Sequence, residues 1–85
     1  MTREEVHGVI ATAVARVLEV PAGSVGLQTR LAEDLAADSL AIVEIVELVE
    51  EALAASGRLV RLDDERLDGM LTVSDAVDEV LAALR

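Results

Sequence analysis

Residues 39–53 carry two faces that repeat at the spacing of an α-helix. One face is apolar, and its members are four, three and four residues apart: Ile42, Val46, Val49 and Leu53. The opposite face of the helical wheel has the same spacing and comprises Leu40, Glu44, Glu47 and Glu51. A β-strand cannot separate these two sets, because its side chains alternate every two residues. The segment therefore predicts an amphipathic helix whose outer face is acidic.

Two further segments have helical spacing, and each begins with the pattern of a capping box. Thr2 and Glu5 precede the first apolar series, and Thr72 and Asp75 precede the last one. In this motif each side chain accepts a hydrogen bond from the backbone N–H of the other residue. Pro21 is expected to end the first helix, because a proline pushes the residue before it towards an extended conformation.

The middle helix has equally clear limits. Asp38 or Ser39 is expected to begin it, since aspartate is a preferred N-cap residue. The helix runs to about Ala55 and stops at Ser56 and Gly57, because glycine readily adopts the left-handed conformation that ends helices.

The connection 21–37 is long for a compact domain, so it is expected to be functional or well anchored. Three leucines spaced four residues apart are expected to hold it on the core: Leu27, Leu31 and Leu35. Residues 31–35 and residues 63–67 are each compatible with one short helix. No segment alternates like a strand, and no repeat or second domain is visible. We therefore predict a single all-α domain over residues 1–85, with three main helices and one short helix.

The residue types that are missing exclude several functions. The chain has no Cys, Phe, Tyr or Trp, and His7 is its single histidine. Disulfides, thiolate or histidine-rich metal sites and cysteine nucleophiles are therefore excluded, as are aromatic platforms for nucleic-acid bases. The formal net charge of −10 repels nucleic-acid phosphates and anionic membranes, and it attracts a basic protein partner.

Location and assembly follow from the same sequence features. No apolar run approaches the roughly 18 residues of a membrane span, and the first residues lack the apolar core of a signal peptide. We expect a cytoplasmic protein, and a monomer, because the charge of the surface opposes self-association. No set of nucleophile, base and oxyanion donors can be assembled, so we do not expect an enzyme, and we assign no metal site.

Ser39 supports two interpretations. An Asp-Ser pair is an ordinary helix start, and capping alone would explain it. A catalytic nucleophile is excluded, because there is no G-x-S-x-G elbow and His7 belongs to another helix. As the acceptor of a modification Ser39 fits well, because a phosphodiester there would meet free backbone N–H groups and the positive end of the helix dipole. Asp38 opposes this gain electrostatically but could help to hold Mg²⁺ during transfer.

A longer motif surrounds this serine. It comprises Leu31-Ala32-Glu33-Asp34-Leu35-Ala36-Ala37-Asp38-Ser39-Leu40, then Val43-Glu44, Glu50-Glu51 and the downstream run Thr72-Val73-Ser74-Asp75-Ala76-Val77. With these residues the chain resembles the acyl carrier protein family over nearly its whole length. The resemblance implies a four-helix bundle with a long first loop. It also implies that Ser39, with Asp38 beside it, carries 4′-phosphopantetheine, transferred from coenzyme A by a Mg²⁺-dependent phosphopantetheinyl transferase. The thiol of that arm would hold acyl groups as thioesters, and the carrier itself would catalyse nothing.

The resemblance further implies a docking surface and an acyl pocket. The docking residues would face basic patches on phosphopantetheinyl transferase, acyltransferase, ketosynthase and other pathway enzymes, and they are Asp38, Leu40, Glu44, Glu47 and Glu51. Steering by charge raises the on-rate more than the affinity, which suits a carrier that visits several enzymes. The residues expected to line the pocket are Val43, Val46, Leu48, Met70 and Ala76.

Three departures from the family pattern bear on the pathway. Ala36 stands where glycine is usual, Leu53 stands where an aromatic residue is common, and the connection 56–62 is longer and more basic. If position 36 requires a positive φ, alanine is strained there, and otherwise it stiffens the loop. We expect a discrete carrier of a polyketide or related specialised pathway. The alternatives are a housekeeping fatty-acid carrier, a peptidyl carrier and, in a different class, an unmodified helical interaction module.

Overall fold

A computed structural model describes residues 1–62 and 70–84, and over these residues the chain is helical. The elements are α1 (Arg3–Leu18), a 3₁₀ turn (Ala22–Ser24), α2 (Leu31–Leu35), α3 (Ser39–Ala55) and α4 (Val73–Ala83). The described part of the chain contains no β-strand, only one isolated bridge between Arg30 and Thr72. The prediction of an all-α fold with three main helices is confirmed. The short helix expected at 31–35 is present as α2, and the one considered at 63–67 lies outside the described residues.

Both predicted capping boxes are present. The Thr2 hydroxyl accepts the Glu5 N–H at 3.1 Å, and the Glu5 carboxylate accepts the Thr2 N–H at 2.9 Å. At α4 the Thr72 hydroxyl accepts the Asp75 N–H at 3.1 Å. The Asp75 carboxylate in turn accepts the N–H groups of Thr72 and Leu71, both at 3.0 Å. These backbone donors favour the ionised carboxylate, so the pKa of Asp75 lies below its ordinary value.

The C-terminal ends of α1 and α3 show how well the neighbouring residues predicted where each helix stops. α3 ends with Ser56 as its C-cap, followed by Gly57 at φ 86°, as predicted. The N–H groups of Gly57 and Arg58 donate to the carbonyls of Ala54 and Leu53, the pairing of a Schellman motif. α1 ends earlier than Pro21 requires, at Leu18, because Glu19 takes the left-handed conformation at φ 56°.

The core lies between α1, α3 and α4, and α1 packs against both of the other long helices. Every buried side chain among the described residues is aliphatic or methionine, and none is polar. The largest fully buried ones are Ile10, Leu53, Val6, Val14, Val25, Val73, Val77 and Val80. The aliphatic Leu53 is therefore part of the fully buried core.

The long connection is held to the start of α4 by backbone hydrogen bonds. The Leu31 N–H donates to the Leu71 carbonyl at 3.0 Å, and the Val73 N–H donates to the Thr29 carbonyl at 3.0 Å. A further hydrogen bond joins α1 to the connection, because the His7 Nε2 lies 2.8 Å from the Val25 carbonyl and must donate to it. The buried side chains of Val25 and Leu31 add apolar anchoring. The connection therefore has a fixed path to the beginning of α3.

No helix in the described part of the chain is both long enough and apolar enough to cross a membrane.

Candidate modification site and docking surface

The turn before α3 is fixed by backbone conformation. α2 ends at Ala36, which adopts the left-handed conformation with φ 56° and ψ 32°. The following Ala37 is buried, and its N–H donates to the Leu31 carbonyl at 3.0 Å. Asp38 is then extended and serves as the N-cap of α3, where its Oδ1 accepts the Ala41 N–H at 2.8 Å. Position 36 therefore does require a positive φ, and alanine is strained there.

α2 itself is held by a cluster of charges at its first turn. The Asp34 carboxylate accepts the Arg30 backbone N–H at 2.8 Å and the Arg30 guanidinium N–H at 3.1 Å. These two donors lower the pKa of Asp34. Arg30 also forms an ion pair with Glu33. α2 has only five residues, and these exposed contacts close its first turn.

Ser39 is the first residue of α3 and is exposed to solvent. Asp38 performs the capping, and within the described residues the Ser39 hydroxyl forms no hydrogen bond. Capping of α3 therefore does not explain why a serine stands at position 39. The backbone N–H groups of Ser39 and Leu40 also have no acceptor within the part of the chain that the structure describes. An anion attached to the Ser39 oxygen would meet these two donors and the positive end of the helix dipole, so the residues present fit a phosphodiester.

The site contains no arrangement that would make Ser39 a catalytic nucleophile. The His7 ring is engaged with the Val25 carbonyl, and no base is hydrogen-bonded to the Ser39 hydroxyl among residues 1–62 and 70–84. In the same residues no group of three His, Cys, Asp or Glu side chains could hold a metal ion.

The acidic face of α3 is exposed to solvent. We call Leu40, Glu44, Glu47 and Glu51 the acidic stripe, and all four of these residues are exposed. The Leu40 side chain is 66% exposed, which is high for a leucine at the head of a helix. The ion pairs among the described residues join Arg3 to Asp78 and Arg30 to Glu33 and Asp34, so the stripe takes part in none of them.

A small, partly open apolar cavity lies beneath the outer face of α3. Its volume is about 20 Å³, enough for roughly one water-sized sphere. It is lined by residues of all four helices and of the segments beside them: Ile10, Val14, Leu31, Ile42, Ile45, Val46, Val49, Leu62, Met70, Ala76 and Val80. Three expected pocket residues, Val46, Met70 and Ala76, are therefore brought together.

The other two expected pocket residues lie elsewhere. Val43 is 39% exposed on the outer face of α3. Leu48 faces a shallow groove towards α1, together with Val9 and Ala13. The helical wheel placed both residues on the flanks of α3, but the position of α1 decides which flank meets the cavity. Ile42, Ile45 and Leu62 line it instead and were not assigned to it from the sequence.

A second, open groove was not anticipated. One wall is the C-terminal half of α3, and the other is the connection that follows it, and the groove is lined by Glu47, Glu50, Glu51, Ala54, Leu59, Val60 and Arg61. Its volume is about 520 Å³. The Glu50 carboxylate accepts the Leu62 N–H at 2.9 Å and thereby holds the connection beside the helix. The sequence signal beside it is the longer, more basic connection 56–62, which contains the run Arg58-Leu59-Val60-Arg61-Leu62.

Known proteins resemble this chain in sequence and in structure. The family model for the phosphopantetheine attachment site matches residues 8–80. An acyl carrier protein from Prochlorococcus marinus (strain MIT 9515) is 36% identical over 77 residues, which cover 91% of this chain and 90% of that protein. A solved structure of the acyl carrier protein from Enterococcus faecalis, described for its high thermal stability, superposes with a TM-score of 0.72. It is 30% identical, and the match covers 98% of this chain and 99% of that one.

Proposed function

From the membership of this chain in the acyl carrier protein family, we propose that Ser39 is the residue that carries its phosphopantetheine. Phosphopantetheine is the family's covalent cofactor, and its thiol supplies the thioester chemistry that a protein without cysteine cannot perform. The observation that carries the assignment is the exposed Ser39 hydroxyl, which is left unbonded because Asp38 does the capping. The two free N–H groups of the first turn support it.

The modification is a phosphoryl transfer made by a partner enzyme. The Ser39 oxygen forms a bond to the phosphorus that bears the pantetheine arm, and the phosphoanhydride bond of coenzyme A breaks. 3′,5′-ADP leaves, and the hydroxyl proton passes to a base of the transferase or to solvent. Asp38 uses Oδ1 for the Ala41 N–H, so its second carboxylate oxygen remains for a Mg²⁺ ion during transfer.

The acidic stripe is the surface that we assign to partner enzymes. Its carboxylates are exposed and outside the ion pairs of the described residues, so basic patches on a transferase, acyltransferase or ketosynthase can meet them without displacing an internal partner. Such contacts are screened by salt and are therefore weak and rapidly exchanged. The carrier itself would catalyse nothing. We place these encounters in the cytoplasm and between one carrier and one enzyme at a time.

For the pathway, we favour a polyketide or related specialised type II system over housekeeping fatty-acid synthesis. Three features support this choice: alanine at the strained position 36, an aliphatic residue at the central position 53, and the basic connection after α3. Charging with malonyl groups by a malonyl transferase would support an acyl carrier. Charging by an adenylating enzyme alone would indicate a peptidyl carrier instead.

Intact-mass spectrometry tests the modification directly. The protein is incubated with a broad-specificity phosphopantetheinyl transferase, coenzyme A and Mg²⁺, and the mass gained is measured. We expect one phosphopantetheine on the wild type and on Ser24→Ala, a matched control that removes another exposed serine hydroxyl. We expect none on Ser39→Ala. Absence of any gain with several transferases on folded wild type would contradict the proposal and favour an unmodified interaction module.

A further inference from the structure

We propose that Asp75, in the first turn of α4, is a positioning residue for the modification of Ser39. Its carboxylate holds a row of backbone hydrogen bonds that runs from α4 through α2 to the turn before α3. The inference rests on the proposed function, because it assigns a further residue to that reaction. Asp75 acts through the backbone and takes no part in the bond changes at the serine oxygen.

Asp75 makes one hydrogen bond more than helix capping requires. In a capping box the carboxylate accepts the N–H of the N-cap residue, which is Thr72 here. The same Oδ2 atom also accepts the N–H of Leu71, the residue before the N-cap, at 3.0 Å. At the other capping box Glu5 accepts the Thr2 N–H at 2.9 Å and no second backbone N–H within residues 1–62 and 70–84. The extra bond therefore distinguishes the start of α4 from the start of α1.

The backbone of Leu71 connects Asp75 to α2. The Leu71 carbonyl accepts the N–H of Leu31, the first residue of α2, at 3.0 Å. The Leu71 side chain is 71% exposed, so this contact depends on the backbone and not on the side chain. Asp75 thus holds the N–H of Leu71, while Leu31 binds its carbonyl. A carboxylate that fixes Leu71 therefore also fixes the beginning of α2.

Leu31 completes the row at the turn that presents the serine. Its carbonyl accepts the Ala37 N–H at 3.0 Å. Ala37 is buried, and the next residue, Asp38, is the N-cap of α3. Ser39 follows directly as the first residue of that helix. The segment that carries the serine is therefore joined to α4 through consecutive hydrogen bonds.

The strain at Ala36 gives these bonds their importance. Its left-handed conformation, at φ 56°, is unfavourable for a residue with a Cβ, so the turn would relax if its ends were free. Leu31 and Ala37 hold the two ends together, and Leu31 is itself held from α4. Loosening that link lets the turn leave the conformation that presents Ser39. The apparent affinity of a transferase for the carrier then falls in proportion to the competent fraction.

Loading kinetics test Asp75 against a matched capping residue. A phosphopantetheinyl transferase with coenzyme A and Mg²⁺ is assayed over a range of carrier concentrations. Asp75→Ala should raise the KM for the carrier about threefold and leave kcat unchanged, because a smaller fraction of the carrier is competent. Asp75→Asn keeps an acceptor oxygen without the charge, so its KM should lie between those of wild type and Asp75→Ala. Glu5→Ala removes the capping carboxylate of α1 and should leave KM unchanged.

Amide hydrogen exchange reports on the turn without the transferase. The amides to follow are those of Leu31 and Ala37, which donate to the two carbonyls of the row. Asp75→Ala should speed their exchange about tenfold, because local opening no longer breaks charge-assisted bonds. Glu5→Ala should leave both rates at their wild-type values. If circular dichroism shows that Asp75→Ala does not fold, Asp75→Asn takes its place in both experiments, with smaller changes in the same direction.

Two results would overturn the inference while Ser39 remained the modified residue. One is a KM that does not differ between the Asp75 variant and Glu5→Ala. The other is exchange at Leu31 and Ala37 that responds equally to both variants, as a purely stabilising role of each carboxylate would require. A wild type that gains no phosphopantetheine would instead overturn the proposed function, and the exchange rates would still decide whether Asp75 holds the turn.

Discussion

Replacing Ala36 with glycine is expected to stabilise the protein. Ala36 holds φ 56° and ψ 32°, a region that costs an L-residue with a Cβ roughly 1–2 kcal/mol. Glycine removes that cost but adds conformational entropy to the unfolded chain, which offsets about 0.4–1 kcal/mol. Ala36 is exposed, so little apolar contact is lost with the methyl group, and the N–H that donates to the Leu31 carbonyl is retained. With the middle of each range, the net gain is about 0.8 kcal/mol.

Urea titration followed by far-UV circular dichroism measures this gain, because the chain has no tryptophan or tyrosine for fluorescence. The corresponding rise in Tm is about 2–8 °C for a domain of this size. Ala32→Gly is the matched control, since Ala32 is also exposed but lies inside α2 in helical conformation. There the same substitution should destabilise by up to about 1 kcal/mol.

The reasoning would be refuted if Ala36→Gly were no more stable than the wild type, or if both variants shifted in the same direction. The first result would mean that the left-handed turn is not strained. If both variants were destabilised, the entropy of the unfolded chain would outweigh the conformation of either position.

Three further predictions concern other parts of the fold. Gly57→Ala should destabilise by about 1 kcal/mol, because its φ of 86° strains any residue with a Cβ, and urea titration against Gly23→Ala checks it. Leu53→Ala should cost about 2–5 kcal/mol by leaving a cavity in the core, and a loss below 1 kcal/mol in the same assay would contradict its central position. Asp75→Asn should lower Tm at neutral pH, because the ionised carboxylate accepts the backbone N–H groups before α4. The folded-state pKa of Asp75 lies below its ordinary value of 3.8, so this stabilisation is present above that pH and is lost as pH falls through the folded-state value. The Tm difference between wild type and variant should therefore shrink in acid, and a difference that is constant down to about pH 3 would argue against it.

How well the sequence predicted the fold depended on how local each signal was. The capping boxes at Thr2 and Thr72 and the glycine stop at Gly57 require only neighbouring residues, and all three are present. The sequence left the conformation of Ala36 undecided, because alanine, unlike glycine, does not indicate a positive φ. The turn is set instead by the packing of the buried Ala37 and Leu31.

The features of the site also divide into those that local sequence signals predicted and those that depend on packing. The exposure of Ser39 and of the acidic stripe could be expected from the helical wheel, because α3 presents its core face unambiguously. The lining of the cavity could not, since it depends on where α1 and the residues around Met70 approach α3. The groove around Leu59 depends on the path of a connection, which no periodic pattern fixes.

The aliphatic composition of the core has a mechanical consequence. Hydrogen bonds and stacked rings resist rotation and sliding because they act in particular directions, whereas contacts between methyl groups act almost equally in all of them. Among the described residues the buried side chains form no hydrogen bonds and include no rings, so resistance to shear comes from the helix backbones and from the rim, where Arg3 binds Asp78 and the loop backbone binds the start of α4. Such an interior can rearrange with little directional resistance, while the rim keeps the helices in register.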